Sequence, residues 1–147
     1  MTFKILFYII FMTLNAISPA NSTAEKSLPL CRDSPNCVSS QATDDKHFIE
    51  PFKIKGDTDA AWTAVKALLS QQSRVVVTHE SSETLHAEAT SLVFRFVDDI
   101  NMILDAKNHV IHVRSASRTG HSDFGVNRKR LETLRAQLQK AQVVEYP

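Results

Sequence analysis

The chain lacks an excess of either charge, a second cysteine pair, internal repeats and low-complexity tracts. Seventeen Lys and Arg stand against sixteen Asp and Glu, and Lys4 is the only charged residue among the first twenty. Loss of that leader would leave sixteen of each sign. This balance argues against general nucleic-acid binding, which needs a strongly basic domain, and against a polybasic membrane-surface protein. Two thiols without a second close pair make a poor zinc site, and the six histidines form no ligand motif, so neither a metal nor another cofactor is expected. No serine sits in a Gly-x-Ser-x-Gly elbow.

Residues 1–24 read as an export signal. Lys4 precedes an apolar run from Ile5 to Leu14, and small residues follow at peptidase spacing, in Ser18-Pro-Ala20 or Ser22-Thr-Ala24. The run is shorter than the ~20 apolar residues of a bilayer span. An uncleaved anchor is the alternative. Leu30 in front of Cys31 excludes a lipoprotein signal. An exported chain, periplasmic or secreted, is expected.

The two cysteines fall in Cys31-Arg-Asp-Ser-Pro-Asn-Cys37. In an oxidising compartment the pair reads as a disulfide around a Ser-Pro-Asn turn, contributing about 2 kcal/mol through chain entropy. It would pin an irregular segment, residues 25–46, to a single domain over residues 47–142.

Hydrophobic periodicity orders that domain. Phe48, Ile49, Phe52 and Ile54 around Pro51 predict an edge strand. Asp57 or Thr58 caps a helix carrying Ala61, Trp62, Val65, Leu68 and Leu69 through Gln72. Arg74 to His79 and Thr84 to Ala89 predict two strands. Ser91 to Asp105 predicts a third, with Leu92, Phe94 and Phe96 on one face and a bulge or bend at Asp98-Asp99. Val110 to Ser115 predicts the last strand, and Val126 to about Gln142 a helix with Leu131, Leu134, Leu138 and Ala141 as its seam. The order strand, helix, four strands, helix implies an α+β fold: an antiparallel sheet of about five strands with two helices on one face.

Ser34-Pro-Asn-Cys-Val-Ser-Ser40, Leu85-His-Ala-Glu88, Phe94-Arg-Phe-Val-Asp-Asp99, Arg114-Ser-Ala-Ser-Arg118 and Ser122-Asp-Phe-Gly-Val-Asn-Arg128 stand in order along the chain. Together they resemble the family called domain of unknown function 1499, over roughly Cys31 to Leu138. The resemblance implies a domain definition and carries no activity, cofactor or catalytic residue.

The densest polar chemistry runs from Arg114 to Arg130, into the start of the last helix. Cations there oppose the helix macrodipole and call for a partner. Arg114, Ser115, Ser117, Arg118, Asn127 and Arg128 are the candidate ligand-binding residues, an anion cradle between the last strand and the helix. Asp98 and Asp99 are the structural ion-pair partners, Asp123 a candidate cap. Residue numbers summing to 214 across the last hairpin would set Ile100 opposite Arg114, and a bridge from Arg114 to the two acids is expected. Asn127 lies four residues before Leu131 and should face the sheet. His86 and Glu88 share one strand face, as a site or as cross-strand bonds.

The expected role is a binding or accessory module, for a small anion or a protein partner of the same compartment. Two alternatives stand beside it. One is a hydrolase at the same site, for which Ser115 or Ser117 with His121 and Asp123 offers the residue types without the geometry. The other is a carrier of an apolar ligand lined by Trp62, Phe94, Phe96 and Met102. The Val143–Pro147 tail could serve a pure interaction module.

Overall fold

A computed structural model describes residues 26–146. The signal reading for residues 1–24 lies outside them. Six strands and two helices follow in the order β1 (Cys37–Ser39), β2 (Phe52–Lys53), α1 (Thr58–Gln71), β3 (Val75–Glu80), β4 (Thr84–Thr90), β5 (Val97–Asp105), β6 (Val110–Ser117) and α2 (Val126–Lys140). The sheet is antiparallel with spatial order β1-β6-β5-β4-β3, and β2 shares the β6 edge with β1. The architecture is α+β, one strand richer than the sequence implies. The extra strand, β1, lies in the segment expected to be irregular, and the disulfide Cys31–Cys37 ties its first residue to the preceding loop.

Alternation along each strand decides which face is buried. Leu85, Ala87 and Ala89 of β4, Ile100, Met102 and Leu104 of β5, and Ile111 and Val113 of β6 point inward. They meet Trp62, Val65 and Leu69 of α1 and Leu131, Leu134 and Leu138 of α2 in one core. Asp57 caps α1 by accepting from the Ala60 amide at 2.7 Å. Arg135, on the buried side of α2, stacks over the Phe52 ring at 4.8 Å and donates to the Glu50 and Pro51 carbonyls, which clamps β2 beneath the helix. No helix among the described residues is long and apolar enough to cross a membrane.

Three local expectations are corrected. Residues 91–96 are a turn, and β5 begins only at Val97; Leu92, Phe94 and Phe96 share the parity of a strand but lie in solvent. No bulge occurs at Asp98-Asp99, since both are paired in unbroken register with β4 and β6. The bulge lies instead between Val77 and His79 on the edge strand β3, where such irregularity discourages pairing with other chains.

The third correction is the register of the last hairpin. Pairs sum to 215, so Asn101 faces Arg114, Ile100 faces Ser115 and Asp98 faces Ser117. His109 adopts a left-handed conformation at φ 54° and extends the turn by one residue, while Asp105 accepts from the Asn108 amide at 3.0 Å and its side chain at 2.7 Å. This register keeps Met102 opposite Val113 and Leu104 opposite Ile111 on the core side. A slip of one residue would set core against solvent positions across the ladder.

Candidate functional site

The candidate residues separate onto two faces of the sheet and a third location. Ser115 and Ser117 point inward, toward α2. The Ser115 hydroxyl donates to Asn127 Oδ1 at 2.5 Å. The Asn127 amide donates to Ser117 Oγ at 2.9 Å, to the Asn36 carbonyl at 3.1 Å and to Asp123 Oδ2 at 2.8 Å. Arg130 completes the group, donating to Asn127 Oδ1 at 2.7 Å, Ser115 Oγ at 3.0 Å and Asp98 Oδ2 at 2.7 Å. Ser115, Asn127 and Asp98 are buried. The side chains here hold one another, so this network joins β6 to α2, and of its members only the half-buried Ser117 also borders the cleft described below.

Asp123 supplies the cap of α2, accepting from the Gly125 amide at 3.0 Å and the Asn127 amide at 2.8 Å. Gly125 itself sits at φ 77°, in the left-handed region where glycine carries no steric cost. With Asp123 bound to amides and the two serines turned toward Asn127, the grouping of serine, His121 and Asp123 is not assembled.

The opposite face of the sheet is solvent-facing and polar. Arg114 does not reach Asp98 or Asp99; it donates to Asn101 Oδ1 at 3.2 Å and to the Leu30 carbonyl at 3.5 Å. The register explains the difference, because Arg114 lies opposite Asn101 and Asp98 is on the other face. Arg118 instead forks onto Asp99, with Nε at 3.0 Å from Oδ2 and Nη2 at 2.7 Å from Oδ1, and also binds Glu88. Paired hydrogen bonds of this kind between ions are strong and orienting. They raise the Arg118 pKa above the usual arginine range. They also hold the Asp99 carboxyl below its ordinary value of 3.8, chiefly through the Arg118 bond and further through His86.

His86 bonds across to the strands on both sides of β4, and Glu88 to Arg118. His86 Nε2 lies 2.9 Å from Asp99 Oδ1, and His86 Nδ1 lies 2.5 Å from the Thr78 hydroxyl at the β3 bulge. Thr78 and the acid flank one imidazole, so the ring donates to Asp99 and accepts from Thr78 when neutral. Shared parity in β4 marked His86 and Glu88; nothing in the sequence placed Thr78 beside them.

Residues 26–30 cross this face. Lys26 pairs with Glu83, Leu28 is buried with its amide on Gln41, and the Leu30 carbonyl meets Arg114. Next to this strap a cleft of about 150 Å³ is lined by Arg32, Asn36, Asp99, Arg114, Ser117 and Arg118, together with Cys37 and Ala116. Three guanidinium groups and one carboxylate meet there. Burial pushes the Arg114 pKa down, Asp99 opposes that fall and Arg32 adds to it. Arg114 Nε is buried with no hydrogen-bond partner. Arg32 had no signal in the sequence beyond its place inside the disulfide loop.

Arg128 belongs to neither face. It donates to the carbonyls of Phe48 at 2.8 Å and Lys46 at 3.3 Å and borders a groove of about 520 Å³ with Pro51, Lys53, Arg135 and Tyr146. The carrier lining is also dispersed: Trp62 and Met102 are core residues, whereas Phe94 and Phe96 are exposed. Among the described residues no group of three or more His, Cys, Asp or Glu could hold a metal ion.

Among curated proteins and among solved structures no match was found. The family profile described as "Protein of unknown function (DUF1499)" matches residues 27–138, which takes in both helices' buried seams, the whole sheet and the polar cleft. The chain belongs to that family.

Proposed function

We propose that the chain is an exported binding module that accepts a small anion, carboxylate or phosphate-like, in the cleft of Arg32, Arg114 and Arg118. One observation carries the reading. The half-buried Arg114 guanidinium meets no carboxylate, its Nε is buried without a partner, and a second cation faces it across the cleft. Three guanidinium groups against one carboxylate leave positive charge in the cleft that an incoming oxyanion offsets. The cleft volume suits a group of a few heavy atoms, and planar guanidinium matches a planar or tetrahedral oxyanion.

Calorimetric titration of the full chain with sodium phosphate, sodium sulfate and sodium acetate tests this. Binding of at least one anion by the wild type, lost in Arg114→Gln and kept in Arg128→Gln, is the expected result. No heat with any of the three anions overturns the reading. Export is supported by the Lys4-led apolar run with its small residues and by the disulfide, and is tested by the amino terminus of the protein recovered from outside the cytoplasm.

A second reading, hydrolysis, draws on the Thr78–His86–Asp99 chain. Asp99 would orient His86, and His86 would take the Thr78 proton as that hydroxyl attacks an ester carbonyl; the ring would return the proton to the departing alcohol as the ester C–O bond breaks, and water, deprotonated by the same ring, would release the acid from Thr78. Ester turnover by the wild type that Thr78→Ala removes would establish it; equal rates in both proteins would end it.

A further inference from the structure

The turn between β4 and β5 presents four apolar side chains to solvent: Leu92 is 71% exposed, Val93 75%, Phe94 75% and Phe96 54%. Isolated surface hydrophobes are ordinary, but a contiguous exposed group on one turn marks an interaction site. The tip is held in shape. The Ser91 amide donates to the Phe96 carbonyl at 2.8 Å, the Phe96 amide donates to Ser91 Oγ at 2.9 Å, and Arg95 turns the chain at φ 53°. The Phe94 and Phe96 rings stack with centroids 5.5 Å apart.

The same end of the sheet carries the loop after β6, because the Arg118 amide bonds the Val97 carbonyl. From that loop and the first turn of α2 project Phe124, 96% exposed, and Val126. The turn from α1 into β3 arrives there too, its Arg74 bonded to Thr90 through both main chain and side chain.

Charge at this end has one sign left over. No acid lies between Thr90 and Val97. Of the neighbouring acids, Glu88 and Asp99 bind Arg118, Asp98 binds Arg130 and Asp123 binds the α2 amides. Arg74, Arg95 and Lys129 take part in no ion pair among the described residues. An exposed turn of leucine and phenylalanine with cations beside it fits the boundary of an anionic lipid bilayer, where rings enter the acyl region and guanidinium groups stay with the headgroups. A protein groove would have to satisfy those cations with its own acids, and apart from Ser91, whose Oγ already accepts from the Phe96 amide, the tip offers only Arg95 for directional pairing.

We infer that the β4–β5 turn, with Phe124 beside it, docks this domain onto an anionic membrane surface. The test places a reporter on the tip of the full chain as Phe94→Trp. The only native tryptophan, Trp62, is buried in the core and serves as the silent background. Vesicles of phosphatidylglycerol and phosphatidylcholine should shift the reporter's emission to the blue, and brominated acyl chains should quench it. Adding Leu92→Ser and Phe96→Ser should weaken that response about tenfold or more. Adding Arg95→Glu should weaken it on anionic vesicles. Attachment through any other part of the chain leaves the reporter unchanged, so an unshifted emission on all vesicles overturns the inference. So does an equal response on phosphatidylcholine alone, or a shift that follows protein concentration without lipid, which would mean a second copy covers the tip.

Discussion

Asp98 and Asp99 occupy consecutive positions of β5 and look out on opposite sides of the sheet. The first is held by Arg130 from α2 among buried groups, the second by Arg118 at the solvent face. Strand alternation alone makes this division. Two acids of one chemistry thereby serve a closed interior network and an open polar surface, and their substitutions should behave differently.

Removal of Arg130 strands a buried carboxylate. Arg130→Met should destabilise the domain by about 3–5 kcal/mol. Adding Asp98→Leu should recover most of that loss, because neither charge is then left without its partner. Urea unfolding of the two single variants and the double variant gives the coupling; strictly additive losses would contradict the pairing.

Asn127 joins β6, the Asn36 carbonyl and the cap of α2 through one side chain. Asn127→Ala leaves several of those groups unpaired in a dry site and should cost about 3 kcal/mol. Asn127→Asp keeps the shape but sets a second carboxylate against Asp123, so its loss should shrink on acidification, as the added charge is neutralised. Thermal melts across pH 4 to 7, on the order of the carboxylate range, measure this.

The lowered Asp99 pKa has a definite sign in stability. Its folded value lies below 3.8, so the contribution is present above 3.8 and is lost as pH falls through the lower folded value. Arg118→Gln removes the largest cause of the depression. The Asp99 carboxyl should then titrate higher, and acid unfolding should begin at a higher pH. The carboxyl carbon shift of Asp99 in a nuclear magnetic resonance titration reads this directly, and His86→Ala should move it in the same direction by less.

Opening the disulfide should act on stability and on the cleft together. Reduction, or Cys31→Ala with Cys37→Ala, frees a short loop worth about 2 kcal/mol. Because the loop carries Arg32, phosphate affinity should fall with it. Arg32→Gln should weaken binding while leaving the unfolding midpoint in place, which separates the charge from the tether.

Helices, element order and the inward faces were legible because they rest on periodicity, and Leu131, Leu134 and Leu138 or Leu85, Ala87 and Ala89 leave little choice. Four features were not. The run Leu92, Phe94, Phe96 has strand parity but no partner strand beyond Thr90 and Val97, and parity carries no information about pairing. The hairpin register depended on a left-handed His109, a conformation that no residue type announces. The polar faces depended in turn on the register, so Arg118 holds Asp99 and Arg130, a helix residue, holds Asp98, where Arg114 had been expected to bridge both. Contacts such as Asn36 to Asn127 join positions far apart in the chain and had no local trace.

The β3–β4–β5–β6 meander is built from neighbours in sequence, whereas β1 and β2 reach β6 across most of the domain. Local ladders close first and distant ones last. β1 makes the longest-range strand contacts, and amide exchange at Val38 and Ser39 is expected to outpace that at Met102. Faster exchange there would mean that one wall of the cleft opens by fluctuation while the core stays shut.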